Sequence, residues 1–232
     1  MLTLRPSAER GHFDFGWLDT RHTFAFGEYF APAHVRFSDL RVLNEDRVKP
    51  GQGFGAHGHR DMEILTWVLE GALEHQDSLG SKGVIRPLQA QVMSAGTGIR
   101  HAEFNASDQD PVHFLQIWIL PETEGLEPRY GQVDFQEAEV RDRWRLIASR
   151  DGAEGSARVH QDIRIHAARP SKGASIGRDL DPSRRHWLQV ARGALTANGL
   201  ALAAGDGLAL SSEARLEIEA GADSEILLFD LR

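Results

Sequence analysis

The feature that most constrains this chain is its punctuation. Twenty-three glycines fall between short apolar runs. One series runs Gly51, Gly53, Gly55, Gly71, Gly80, Gly83, Gly96, Gly98, and a second runs Gly193, Gly199, Gly205, Gly207, Gly221. Turns at such intervals leave little room for helices and predict an all-β chain of short strands in a sandwich or barrel. The runs between them fit. Residues 63–69 are rich in β-formers and stop at Gly71. Residues 84–85 and 91–93 read as short strands. Residues 112–120 are the longest apolar run, closed by Pro121. That run is shorter than the ~18 residues a bilayer span needs, and it reads as a buried strand. Residues 24–30 and 35–42 read as extended, aromatic-rich segments.

A stretch rich in Pro, Gly and Glu from 121 to 131 reads as a linker. It divides the chain into a domain of residues 1–130 and a domain of residues 131–232. Beyond it, 133–135 reads as strand, 137–145 as a short helix and 144–149 as the first strand of the second unit. Residues 187–191, 214–220 and 225–231 follow as strands. Asn198-Gly199 sits inside 194–202, a strong hairpin signal, because a type I′ turn needs positive φ at both positions. Glu70-Gly71-Ala72-Leu73 is echoed half a chain later by Arg192-Gly193-Ala194-Leu195. The echo, in matching strand–turn–strand settings, predicts two similar barrels in tandem.

The net charge of −8 and the scattered Lys and Arg give no basic stripe, so no nucleic-acid partner is expected. There is no cysteine, which excludes disulfides, thiolate metal ligands and a Cys nucleophile. No signal-like apolar stretch opens the sequence, and the expected setting is the cytoplasm, with no membrane partner. No Ser sits in a nucleophile elbow. The glycines before His57 precede a strand, unlike those of a dinucleotide fingerprint.

Chemistry concentrates in two short motifs. His57-Gly58-His59 places two imidazoles at i and i+2, on one face of an extended strand. His101-Ala102-Glu103 repeats the spacing with one imidazole and one carboxylate. Three nitrogens and an oxygen suit a divalent metal: Fe(II), Cu, Ni, Co, Mn or Zn. Glu63 is expected beside a ligand His rather than on the metal. His75, His113, His160, His166 and His186 are expected to be satisfied or exposed histidines. His12, His22 and His34 are expected to pack within the aromatic N-terminal segment. Phe54, Leu65, Trp67, Leu115 and Ile117 fit either a core or the lining of a cavity for an aromatic ligand.

The flanks carry a resemblance. Gly51, His57, His59 and Glu63 fit G-x5-H-x-H-x3-E, and Gly98, His101 and Asn105 fit G-x2-H-x3-N, the motif pair of the cupin superfamily. The usual Pro before the second motif is Gly96 here. Residues 17–30, 40–46, 53–63 and 94–104 together resemble the pirin family more narrowly. That resemblance implies a bicupin: two tandem double-stranded β-helix, or jelly-roll, barrels. It implies metal ligands at His57, His59, His101 and Glu103, with Fe(II) the expected ion. It also implies a quercetinase-type dioxygenase that opens a flavonol ring with O2 and releases CO. Glu103 would act as the base toward the flavonol 3-hydroxyl. The alternative is a metal-dependent regulatory pirin that binds a protein partner without turnover. A sugar-isomerase-like cupin is a weaker reading, since no phosphate-gripping basic residues are evident. With no H-x-H, the C-terminal barrel is expected to lack a metal, and the protein to be a monomer.

Overall fold

A computed structural model describes all 232 residues. The chain forms two barrels, each a seven-stranded sheet packed on a four-stranded one, and the fold is a bicupin. In the N-terminal barrel the large sheet runs, in spatial order, Arg129–Asp134, Gln89–Ser94, Glu63–Glu70, Val112–Ile119, Leu40–Val48, Leu18–His22 and Gly11–Asp14. The small sheet is Gly53–His59, Ile99–Asn105, Leu73–Asp77 and Lys82–Ile85. The C-terminal barrel repeats the plan. No helix is long and apolar enough to cross a membrane.

Most expected strands form, with shifts at their ends. The structure corrects three segments. Residues 24–30 are turns with one isolated bridge, Phe26 to Tyr29, rather than a strand. Residues 35–39 follow a 3-10 turn at Pro32–His34, and the strand expected over 35–42 begins only at Leu40. The helix expected over 137–145 is one turn, Glu137–Val140. Residues 129–134 pair with Gln89–Ser94, so a division at 130/131 falls inside a strand of the first barrel. Strand Leu2–Arg5 crosses over and pairs with Gly207–Ser211 of the second. The Asn198-Gly199 turn is as expected, with φ of 47° and 81°.

The largest core lies between the barrels. Leu65, Trp67, Leu115 and Ile117 of the first large sheet meet Ile147, Ile165, Trp187 and Phe229 of the second. This explains the continuous apolar run at 112–119. Alternate residues face the partner barrel, and those between face the interior of their own. The inward set is not uniformly apolar. Val68, Leu73, Phe114 and Leu18 close one end, and Ile64, Met93 and Ile99 pack in another small core. Between them runs a polar row across six strands: His22 opposite Asn44, Asn44 opposite Gln116, Gln116 opposite Thr66, Thr66 opposite Gln91, Gln91 opposite Gln132. In the second barrel, Leu188 stands between Leu208 and Leu228 in an apolar core.

Candidate metal centre

Gly53–His59 and Ile99–Asn105 pair antiparallel, with His57 directly opposite His101. The register shifts between His101 and Glu103: the four residues 54–57 on one strand oppose the three residues 101–103 on the other. Such a bulge re-aims side chains, and bulges recur beside functional sites. Gly53 makes the close pairing possible, because a Cβ there would stand 2.2 Å from the Glu103 carbonyl oxygen.

Three imidazoles converge. His101 Nε2 lies 3.0 Å from His59 Nε2 and 3.0 Å from His57 Nε2. His57 Nδ1 lies 2.8 Å from the Gly55 carbonyl, which places the proton on Nδ1 and the lone pair on Nε2. Two neutral ring nitrogens facing each other gain nothing without a shared proton or cation. Ligands ~2.1 Å from one ion and at right angles to each other stand about 3 Å apart, so the spacing fits a metal. Burial and the neighbouring imidazoles push His59 down to about 4 and His101 to about 2, so both present lone pairs at neutral pH. The His57 and His59 rings are 4.7 Å apart, centre to centre, closer than the roughly 6–7 Å between alternate residues of a strand.

Glu103 stands on the same face as His101, two residues on. Its oxygens receive long contacts from Thr66 Oγ1, 3.5 Å, and Gln116 Nε2, 3.4 Å. Burial, with the charge of Asp46, pushes it up to about 8. It forms a tight group with His101 and His75, not with all three converging imidazoles. His75 is the residue whose role the sequence hid. It is fully buried, opposite Glu103 on the neighbouring strand. Its Nε2 lies 3.1 Å from Asp77 Oδ2, and its Nδ1 lies 3.4 Å from His101 Nδ1 and 3.3 Å from Gln91 Nε2. Asp77 also accepts the backbone N–H groups of Leu79 and Ser81. The carboxylate therefore accepts a hydrogen bond from the Nε2–H of His75. That leaves His75 Nδ1 to accept from His101 Nδ1, and His101 Nε2 is turned bare toward the other imidazoles.

Glu63 does not touch a ligand histidine. It accepts from Ser94 Oγ at 2.8 Å and from the His160 backbone N–H at 3.0 Å, and so ties the first barrel to the segment beyond 135. Of the five expected lining residues, Phe54 lines the cavity; Leu65, Trp67, Leu115 and Ile117 belong to the inter-barrel core. The cavity, about 350 Å³, opens from His57, His59 and Glu103. Its walls are Phe13, Phe15, Phe26, Phe114 and Trp118, with polar groups from Thr20, His22, Asn44, Asp46 and Gln116. The Trp118 ring packs edge-on against His59 at 4.8 Å. Its size, and its aromatic walls set with a few polar groups, are those of a small-molecule site. The strand supplying Leu18, Thr20 and His22 has no apolar alternation, because all three inward residues line this cavity and two of them are polar.

Residues 3–119 match the family described as Pirin, and residues 146–231 match the quercetinase C-terminal cupin domain. A protein of Escherichia coli K12 named quercetin 2,3-dioxygenase is 47% identical over 231 residues, covering 100% of this chain and 99% of the relative. The structure of the E. coli bacterial pirin YhhW in complex with nickel(II) superposes with a TM-score of 0.94 at 47% identity, over 100% of this chain and 99% of that one. The E. coli protein YhaK superposes with a TM-score of 0.74 at 30% identity, over 95% and 97%.

Proposed function

This chain belongs to the pirin family, and from that premise we propose that it is a metal-dependent dioxygenase of the quercetinase type. Its substrate would be a flavonol, cleaved with O2 and release of CO. The observation that carries the reading is the convergence of the His57, His59 and His101 imidazoles, with the buried Glu103 carboxyl beside His101, at the inner end of an aromatic-walled cavity. His57, His59, His101 and Glu103 would hold one divalent ion, Fe(II) in the cytoplasm. The set is one His more than the facial triad of non-haem iron oxygenases. When bound, the metal supplies Lewis acidity and open positions for substrate and O2.

The chain's own residues do the rest. Phe13, Phe26, Phe54 and Trp118 receive a flat ring system and exclude water from it. Glu103 takes the proton of the flavonol 3-hydroxyl. Its raised pKa, about 8, makes it a stronger base than an ordinary carboxylate once ionised. Gln116 and Thr66 keep its oxygens aimed into the cavity. The name of the E. coli K12 relative supports this choice of substrate, and the nickel(II) complex of YhhW supports a pirin that binds a divalent metal.

Purified protein loaded in turn with Fe, Cu, Ni, Co and Mn is assayed with quercetin and O2 for loss of flavonol absorbance and CO release. Turnover with at least one metal is expected, and it should be abolished in His57→Ala/His101→Ala. No turnover with any metal at confirmed occupancy sinks the assignment. Metal analysis of protein purified without added metal tests the choice of iron.

A further inference from the structure

One wall of the cavity holds polar groups for which the chain provides no partner. Thr20, Asn44 and Asp46 are 2%, 4% and 4% exposed. Thr20 Oγ1, Asn44 Oδ1 and Asp46 Oδ1 make no hydrogen bond, and neither does Nδ1 of the neighbouring His22. All four residues line the cavity. A buried donor or acceptor left without a partner is costly and rare in folded proteins. Four gathered on one wall do not arise from packing needs. Leu18 and Val48, one pair further along the same two strands, are apolar.

The register makes the group compact. Thr20 stands opposite Asp46 and His22 opposite Asn44, so four inward side chains form a two-by-two patch with cross-strand neighbours about 5 Å apart. Thr20 and Asp46 stand side by side across the strand pair, yet Thr20 Oγ1 and Asp46 Oδ1 make no hydrogen bond. Asn44 is also opposite Gln116, whose amide reaches Glu103. The patch is therefore one and two strands from Gln116, roughly 5 to 10 Å along the large sheet, and Gln116 reaches the base on the facing sheet.

We propose that Thr20, His22, Asn44 and Asp46 form a specificity subsite that hydrogen-bonds the ring hydroxyls of a flat polyphenol at the end remote from Glu103. The proposal rests on the flavonol reading above and adds which part of the ligand is recognised, and by which residues. The aromatic walls accept any flat ring system. The patch accepts only one that brings hydroxyls to it, because a ligand without them leaves the four groups unpaired under an apolar cover.

The test is binding without turnover. Metal-loaded protein is titrated in the absence of O2 with quercetin and with 3-hydroxyflavone, and absorbance is followed. The two share the 3-hydroxyl and 4-keto groups and differ in the remaining ring hydroxyls. Wild-type protein is expected to bind quercetin at least tenfold more tightly. In Thr20→Val and Asn44→Leu, alone and together, that ratio should fall toward one through loss of quercetin affinity, with metal content unchanged. Thr20→Val preserves shape, so it separates recognition from packing should Asn44→Leu fold poorly. Equal affinities in wild-type protein, or a ratio that survives in Thr20→Val and the double variant, overturn the subsite while leaving the flavonol assignment intact. If neither compound binds, both fall together.

Discussion

Glu70 and Arg192, 122 positions apart, form an ion pair at 3.0 Å. Each ends a strand of its barrel's large sheet, and each is followed by a glycine with positive φ, 76° at Gly71 and 87° at Gly193. The pair joins equivalent corners of two like barrels. It is exposed, so Glu70→Ala should change unfolding free energy by less than about 1 kcal/mol. Beneath it, Trp67 Nε1 donates to Glu225 Oε1 at 2.8 Å inside the interface, where Arg169 also reaches Glu225. Trp67→Phe should cost on the order of 1–3 kcal/mol. Denaturant unfolding compares the two, and equal losses would refute this ranking.

Asp77 is expected to govern metal affinity without touching the metal. Asn at this position keeps an oxygen for the Leu79 and Ser81 N–H groups and turns its amide toward His75 Nε2. His75 must then carry its proton on Nδ1, facing His101 Nδ1. The proton of His101 moves to Nε2, the atom that would bind the ion. Asp77→Asn should lower affinity about 10–100-fold with an unchanged melting curve for the metal-free protein. Unaltered affinity, measured by competition with a chelating dye, would remove the relay from the account.

Gly53→Ala probes the strand pairing that carries Glu103. The new Cβ would meet the Glu103 carbonyl at 2.2 Å and Phe104 Cα at 2.5 Å, both backbone. The strands must part beside the site. Metal affinity should drop at least tenfold, while Gly55→Ala, where a Cβ meets nothing within 4 Å, should lose little. Matching losses in the two variants would speak against this steric reading.

Proton release should accompany metal uptake. Glu103, raised to about 8, holds a proton below that pH, whereas His59 at about 4 and His101 at about 2 hold none at neutrality. Affinity should therefore rise about tenfold per pH unit up to pH 8 and then level. Calorimetry in buffers of different ionisation enthalpy should find about one proton released per ion at pH 7, and none in Glu103→Gln. The metal-free fold should respond in the opposite sense. Glu103 and Asp46, raised to about 8 and about 7, contribute stability that is complete below their ordinary pKa and lost as pH rises through the folded values. The imidazoles lowered by burial act in the opposite sense until about pH 7.5, because the unfolded chain still binds protons there, so the carboxyl is isolated by comparison. Between pH 6.5 and 8 the melting temperature of the wild type should fall relative to that of Glu103→Gln, and a constant difference would contradict the assignment.

What the sequence disclosed of this site was what lies close along the chain. His57, His59, His101 and Glu103 could be read because ligands at i and i+2 share a strand face. His75 could not, because its place beside His101 and Glu103 comes from register between strands about 26 residues apart. The same holds for Gln116 and Thr66, which meet Glu103 across 13 and 37 residues. Strand Leu18–His22 escaped notice for a chemical reason. Its inward residues Thr20 and His22 are polar because they face a cavity, so the apolar–polar contrast that marks a strand is missing where the strand serves the site. The aromatic run at 24–30 suggested extension, but its rings fold over His22 and Trp118 in turns.

The strand Leu2–Arg5 is lent by one barrel's end of the chain to the other barrel's sheet, and Ser7 and Arg10 fasten the loan at Asp206 and Gly205. Emergence from a ribosome therefore reverses the order of assembly. Residues 2–5 must wait unpaired while some two hundred more are synthesised, and they find their sheet only once the second barrel has emerged. No single cut in the backbone between the barrels yields two whole pieces: one fragment keeps a strand with nothing to join, and the other keeps an open edge at Gly207–Ser211 that invites pairing with another molecule.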